Sequence, residues 1–212
     1  MATRSGTHKG SSTKHKMAAA AIKLLAKHGF AETSFQMIGD ELGLSQSAVM
    51  YHFPSKDALM EELVRTIIRH NHATVDELFK LTDDAGERLL KYCVGNVTWA
   101  VRTRKQDAQV LILLYYMAGR GKQFSEMFDQ MTAGGRQRIL SHLLAGQREG
   151  MFHFKMEPAA LAELLQHSLF GAMLYAAAAP DGSVKESELT AKWKKVIIAL
   201  TDYDGQPIPP RK

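Results

Sequence analysis

The chain of 212 residues holds one cysteine, Cys93, so no intramolecular disulfide can form, and this scarcity fits a reducing cytosol. No apolar run reaches the ~18 residues that a membrane-spanning helix needs, which excludes a helical integral membrane protein. The polar, basic start of the chain has no apolar segment ahead of a cleavage site, and no secretory leader is expected. Motifs that carry chemistry are missing too. There is no glycine-rich phosphate loop, no paired-cysteine motif, no His-Glu-x-x-His and no nucleophile elbow. His70 and His72 stand two apart, which points them to different faces of a helix, so no metal site is expected there. The chain is therefore read as a non-enzyme without cofactor or metal. No internal repeat and no run of alternating strands appears in the pattern.

One absence is local. Residues 1–31 contain no acid but carry Arg4, Lys9, Lys14, Lys16, Lys23 and Lys27, a charge of +6. Residues 1–56 hold seven basic and three acidic residues, +4, while residues 57–212 hold twenty and nineteen, +1. The excess in the whole chain, +5, therefore belongs to its first quarter. Such a region is either a solubilising tail or a contact for a polyanion, nucleic acid or an acidic membrane surface. With 45% apolar and 23% charged residues, the whole chain has the composition of an ordinary globular protein, long enough for one large or two small cores.

Residues 1–12, rich in Ser, Thr, Gly, Lys and His, read as a flexible basic arm. Helical spacing then begins with Met17, Ala20, Ala21, Leu24 and Leu25, and Gly29 closes this helix. Ser34 can cap a short helix containing Met37, Ile38 and Leu42, ended by Gly43. Ser45 can cap another, from Gln46 to about His52, stopped ahead of Pro54. Ser55 caps a fourth helix with Leu59, Leu63, Val64, Ile67 and Ile68 on one face. Helical stripes continue through Leu89–Val101. Val110–Met117 fits a buried helix or strand by pattern, and its flanks favour a helix. Further helices are expected over about 121–148, 158–178 and 186–201, with a kink or break at Gly134-Gly135, where each glycine costs roughly 1 kcal/mol against Ala. The fold class is all-α, with about nine helices.

Residues 33–56, TSFQMIGDELGLSQSAVMYHFPSK, place two short helices around Gly43 and a capped turn. This fits a helix-turn-helix, whose second helix enters the DNA major groove with its N-terminal residues towards the bases. Gln46 can pair with adenine N6 and N7, and small Ser47 and Ala48 allow close approach. Tyr51 and His52 offer donors to phosphates, whereas Val49 and Phe53, four apart, face the core. Lys56 at the start of the fourth helix, and Thr33 and Ser34 at the start of the second, can meet phosphates. With Gln36 and Ser45, these are the candidate DNA-contacting residues.

The segment resembles the TetR family of bacterial transcriptional regulators. The matching features are Ala18–Ala21, Gly29-Phe30, Thr33-Ser34, Ile38-Gly39, Gly43-Leu44-Ser45, Tyr51-His52-Phe53 and Ser55-Lys56-Asp57-Ala58-Leu59, over about residues 13–70. The chain departs from the family's pattern at Met50, where a tyrosine is usual, at Ser47, where many members have Gly, and at Gly39, where most have Ala. Core packing is expected for Met50. The resemblance implies an N-terminal three-helix DNA-binding domain at 13–58, a helical effector-binding and dimerisation domain at 59–205, and a tail at 206–212. It also implies a bacterial cytoplasmic protein that binds a palindromic operator on double-stranded DNA as a homodimer, paired through its last two helices. Candidate interface residues are Leu165, Leu169, Ala172 and Met173 on the 158–178 helix, which is apolar on more than one face, and Trp193 and Ile197 on the last helix.

Candidate lining residues for a small-molecule effector are Trp99, Tyr115, Tyr116, Met117, Phe124, Met127 and Phe128, an apolar set that points to a hydrophobic or aromatic ligand. Cys93 reads as a small core residue, and Arg102, Arg104 and Lys105 as a solvated helix end. The leading expectation is a ligand-responsive repressor without a membrane partner. The alternatives are a helical small-molecule-binding protein or enzyme with a vestigial helix-turn-helix, and a membrane-surface protein using the basic arm.

Overall fold

A computed structural model describes residues 6–103, 105–180 and 182–203. Among the described residues there are nine α-helices and no strand, as the all-α reading requires: α1 Gly6–Glu32, α2 Phe35–Leu42, α3 Gln46–His52, α4 Lys56–Asp76, α5 Ala85–Thr98, α6 Lys105–Ala118, α7 Lys122–Arg148, α8 Pro158–Ala178 and α9 Glu186–Thr201. A π-helical turn, Trp99–Thr103, follows α5. Val110–Met117 lies within α6 and so is helical.

Two local expectations change. α1 begins at Gly6, so residues 6–12 of the expected arm are helical; adding residues to a helix already packed through Met17–Leu25 needs no new nucleus. Residues 1–5 and the expected tail at 206–212 lie outside the described residues. α7 runs without a break through Gly134-Gly135. At Gly135 a Cβ would lie 2.8 Å from Gln166 Nε2, and that amide donates to the Thr132 carbonyl at 2.5 Å. The glycine thus admits a neighbouring side chain and does not bend the helix.

The chain divides into two compact units, Met1–Arg69 with Gln109–Met127, and His70–Ala108 with Phe128–Lys212. Their boundaries fall inside α4, α6 and α7. In the first unit, Met17, Ile38, Val49, Phe53, Met60 and Leu63 are fully buried. In the second, Leu89, Cys93, Val97, Ile139, Leu143, Leu161, Leu165, Trp193 and Ile197 form one apolar cluster. Burial pushes the Cys93 thiol well above its ordinary pKa, in keeping with a core residue. Lys105 donates to the Ala179 carbonyl at the end of α8 and is not a free solvated cation; the Arg102 and Arg104 side chains lie outside the described residues.

Candidate nucleic-acid interface

Serine caps and glycine turns build the 33–56 segment. The Ser34 hydroxyl oxygen accepts from the Met37 amide at 3.2 Å and starts α2. Gly43 closes α2 at φ +68, a left-handed conformation that suits glycine. The chain then folds back so closely that the Leu44 amide donates to the Gly39 carbonyl at 2.8 Å. A Cβ on Gly39 would lie 2.5 Å from the Leu44 oxygen. Ser45 caps α3 by accepting from the Ala48 amide at 3.2 Å, and its hydroxyl lies 3.1 Å from that of Ser47.

α3 is anchored by Val49 and Phe53, which are 0% and 1% exposed. Its other side is open. Gln46 and Ser47 are exposed, Tyr51 is 85% exposed, and Ala48 and His52 are half-buried. The His52 ring meets the Tyr51 ring edge-on at 5.4 Å. Met50 is 42% exposed, which corrects its expected place in the core. With Val49 and Phe53 taking the buried face, Met50 falls one turn beyond Gln46 on the open one. The sequence reading missed it as a surface residue, although its spacing of four from Gln46 carried the signal.

Other candidate contacts are already engaged. Thr33 is buried and its hydroxyl donates to the Gly29 carbonyl at 2.7 Å, so the expected phosphate contact is replaced by an internal one. The cause is a kink in α1, where Gly29 takes φ +79 and leaves nearby carbonyls without helical partners. Lys56 uses the same break. Its ammonium donates to the Phe30 and Ala31 carbonyls at 3.2 and 3.1 Å and lies 5.5 Å over the Phe30 ring. Gln36 donates to the Asp40 carboxylate at 2.6 Å. Lys14 pairs with Glu62 and Lys23 with Glu41, while Lys16 and Lys27 stand exposed on α1.

The expected effector-lining residues are divided between the two units. Tyr115 and Tyr116 are 52% and 57% exposed on α6, and Arg120 stacks over the Tyr116 ring. Met117 and Phe124 are buried but belong, with Met127, to the first compact unit. Only Trp99 and Phe128 fall in the second, where Phe128 meets Phe170 edge-on. A period of 3.6 identifies a buried face but not what covers it.

The second unit holds a polar cluster that sequence spacing did not reveal, because its members come from three helices. Tyr92 on α5 lies under the Arg138 guanidinium and beside the His142 ring, both on α7. Arg138 pairs with Asp76 of α4. Gln166 of α8 donates to the Thr132 carbonyl of α7. Burial, reinforced by the charges of Arg138 and Arg88, lowers the His142 pKa to about 4. Burial raises that of Tyr92 to about 12. Among the described residues, the buried Gln166 Oε1, Trp99 Nε1 and Thr98 hydroxyl have no hydrogen-bond partner.

The expected dimer residues are largely core. Leu165, Leu169, Trp193 and Ile197 are buried within the protomer, and Ala172 and Met173 pack against the same cluster. The open faces are Leu164, Ser168, Gly171 and Tyr175 on α8, and Glu188, Lys192, Val196 and Ala199 on α9.

Two short capped helices meeting at a left-handed glycine, the second presenting polar side chains from an apolar anchor, define a helix-turn-helix DNA-binding domain. Residues 18–63 match the family of bacterial regulatory proteins, tetR family. This segment is a TetR-family DNA-binding region. It is 26% identical over 166 residues, 76% of this chain, to the HTH-type transcriptional regulator YerO of Bacillus subtilis, and 24% identical over 131 residues, 61% of this chain, to the HTH-type transcriptional regulator BetI of Vibrio campbellii. These matches span 56% and 64% of the relatives' own lengths. Solved structures share the fold. A TetR transcription regulator of Haloarcula marismortui is 20% identical with a TM-score of 0.74, over 90% of this chain and 99% of that one. A transcriptional regulator of Saccharomonospora viridis in complex with choline is 19% identical with a TM-score of 0.75, over 90% and 98%. No helix among the described residues is long and apolar enough to cross a membrane.

Proposed function

We propose that this regulator binds a palindromic operator as a homodimer in the bacterial cytoplasm, represses transcription there, and is released by a small apolar effector. The observation that carries the reading is α3, whose anchored face leaves Gln46, Ser47, Met50 and Tyr51 open together. Gln46 suits the edge of an adenine, and the Met50 side chain suits a thymine methyl. Paired reading helices must sit about one helical turn, ~34–36 Å, apart to occupy two half-sites. The exposed stripes of α8 and α9, with Leu164, Tyr175 and Val196, support pairing through those helices. The effector acts by binding better to a state in which the reading helices are misaligned. The orphaned buried polar atoms and aromatic rings of the second unit support its placement there.

The test is selection of bound duplexes from a random DNA pool, repeated with aromatic and aliphatic ligands, beside measurement of solution mass. Enrichment of a palindrome by a dimer, reversed by an apolar ligand, is expected. Failure to enrich any sequence, or enrichment by a monomer, sinks the reading.

A further inference from the structure

The first turn of α7 was expected to line a sensor cavity, yet it is built into the unit that contains the helix-turn-helix. Phe124 is 8% exposed, and its ring meets that of Phe30, just past the kink of α1, edge-on at 5.8 Å and 82°. One residue earlier, Gln123 donates to the Asp57 carboxylate in the first turn of α4 at 3.0 Å. The same Phe30 carries Lys56, the first residue of α4, on its ring and its carbonyl. Three helix ends therefore meet at Phe30: the end of α1, the start of α4 and the start of α7. α3 ends only three residues before Lys56 begins α4, so the pose of this junction fixes the pose of the reading helix.

Gln123 and Phe124 lie outside the 18–63 segment that matches the family.

We propose that Phe124 and Gln123 are positioning residues of the DNA-reading head. This rests on the operator-binding reading above. Phe124 and Gln123 touch no DNA. They hold the α1–α4 junction in the pose that presents α3. The Gln123–Asp57 contact is a pairwise interaction, so a double-mutant cycle measures it.

The experiment uses the full chain and a duplex selected from a random pool by the wild type. Phe124→Ala is expected to weaken binding about tenfold, the equivalent of ~1.4 kcal/mol, with the salt slope unchanged because no phosphate contact is lost. Phe124→Leu restores most of it. Gln123→Glu, a surface change that leaves the core intact, weakens binding through repulsion by Asp57, and adding Asp57→Asn recovers it relative to Asp57→Asn alone. Thermal melts confirm that each variant is folded at the assay temperature. Equal affinity of wild type, Phe124→Ala and Gln123→Glu overturns the proposal. A wild type that selects no duplex overturns the operator reading itself, which separates the two failures.

Discussion

Lys56 and Phe30 meet twice: the ammonium donates to the Phe30 carbonyl at 3.2 Å and lies 5.5 Å from the centre of its ring. A charged hydrogen bond to a partly buried carbonyl contributes about 1.5–3 kcal/mol. Lys56→Met, which keeps the aliphatic stem, is therefore expected to lower the urea midpoint and to weaken binding to every duplex. The change in salt slope should be well below the ~1 that loss of a phosphate contact gives. A slope lower by a full unit with an unchanged urea midpoint would return Lys56 to the phosphate role.

Gln46 and Met50 stand one turn apart on the open face of α3. Gln46→Ala is expected to cost about 1–3 kcal/mol at one base pair and to relax preference there. Met50→Ala should weaken preference for thymine at a neighbouring position while leaving the salt slope alone. Repeating the random-pool selection with each variant checks both. Unaltered preferences would remove these side chains from direct readout.

Gly39 stands where the resemblance to the family favours Ala, and Ala is the better helix former by ~1 kcal/mol. Here the turn runs so close that a methyl group added at Gly39 would meet the Leu44 carbonyl oxygen at 2.5 Å. Because that neighbour is backbone, the α2–α3 turn must move. Gly39→Ala is expected to lower the thermal midpoint and weaken DNA binding together. A raised midpoint with unchanged binding would show that the turn yields freely.

The helices were legible because their stops are local. Ser34 and Ser45 caps, Gly43 in its left-handed turn and Pro54 after α3 are read from neighbours in sequence, and the structure places each helix end beside them. The DNA-reading segment was legible for the same reason, with Val49 and Phe53 correctly assigned inward. What lay beyond was tertiary. Whether Leu165 or Leu164 faces a partner depends on where α9 packs, and only Leu164 is left open. Phe124 and Phe128 look equivalent in sequence but contact α1 and α8 respectively. The hydroxyl of Thr33 and the ammonium of Lys56 were assigned to phosphates because the Gly29 kink, which supplies their carbonyl partners, was read as a helix end.

Pairing through α8 and α9 makes a contrast between adjacent leucines. Leu164 is 42% exposed and Tyr175 79%, whereas Leu165 is 1% exposed. Leu164→Glu and Tyr175→Glu are expected to give folded monomers at micromolar concentration, with operator affinity falling because two half-sites are no longer bound together. Leu165→Ala should instead lower stability by about 2–5 kcal/mol, as a cavity in the core. Sedimentation and urea unfolding separate the two. A dimer that survives both charged substitutions would place the interface elsewhere.

His142 gives the second unit a pH dependence of definite sign. Its ring lies against Phe79 and Tyr92 at 5.6 and 5.5 Å. Burial first, then the charges of Arg138 and Arg88, bring its pKa from 6.5 to about 4, with Asp76 opposing the shift. Between those two values the unfolded chain binds a proton that the folded chain does not, so stability is full above pH 6.5 and declines as the pH falls towards 4. From pH 7.5 to pH 5 this one group removes about 2 kcal/mol. His72, lowered mainly by burial and then by Arg138, acts in the same direction. His142→Gln cannot bind that proton in either state. Its urea midpoint is expected to fall less over the same pH interval than that of the wild type, whatever the substitution costs at pH 7.5. Parallel pH profiles for the two proteins would mean that His142 titrates normally in the folded chain, and would remove it as the source of acid sensitivity.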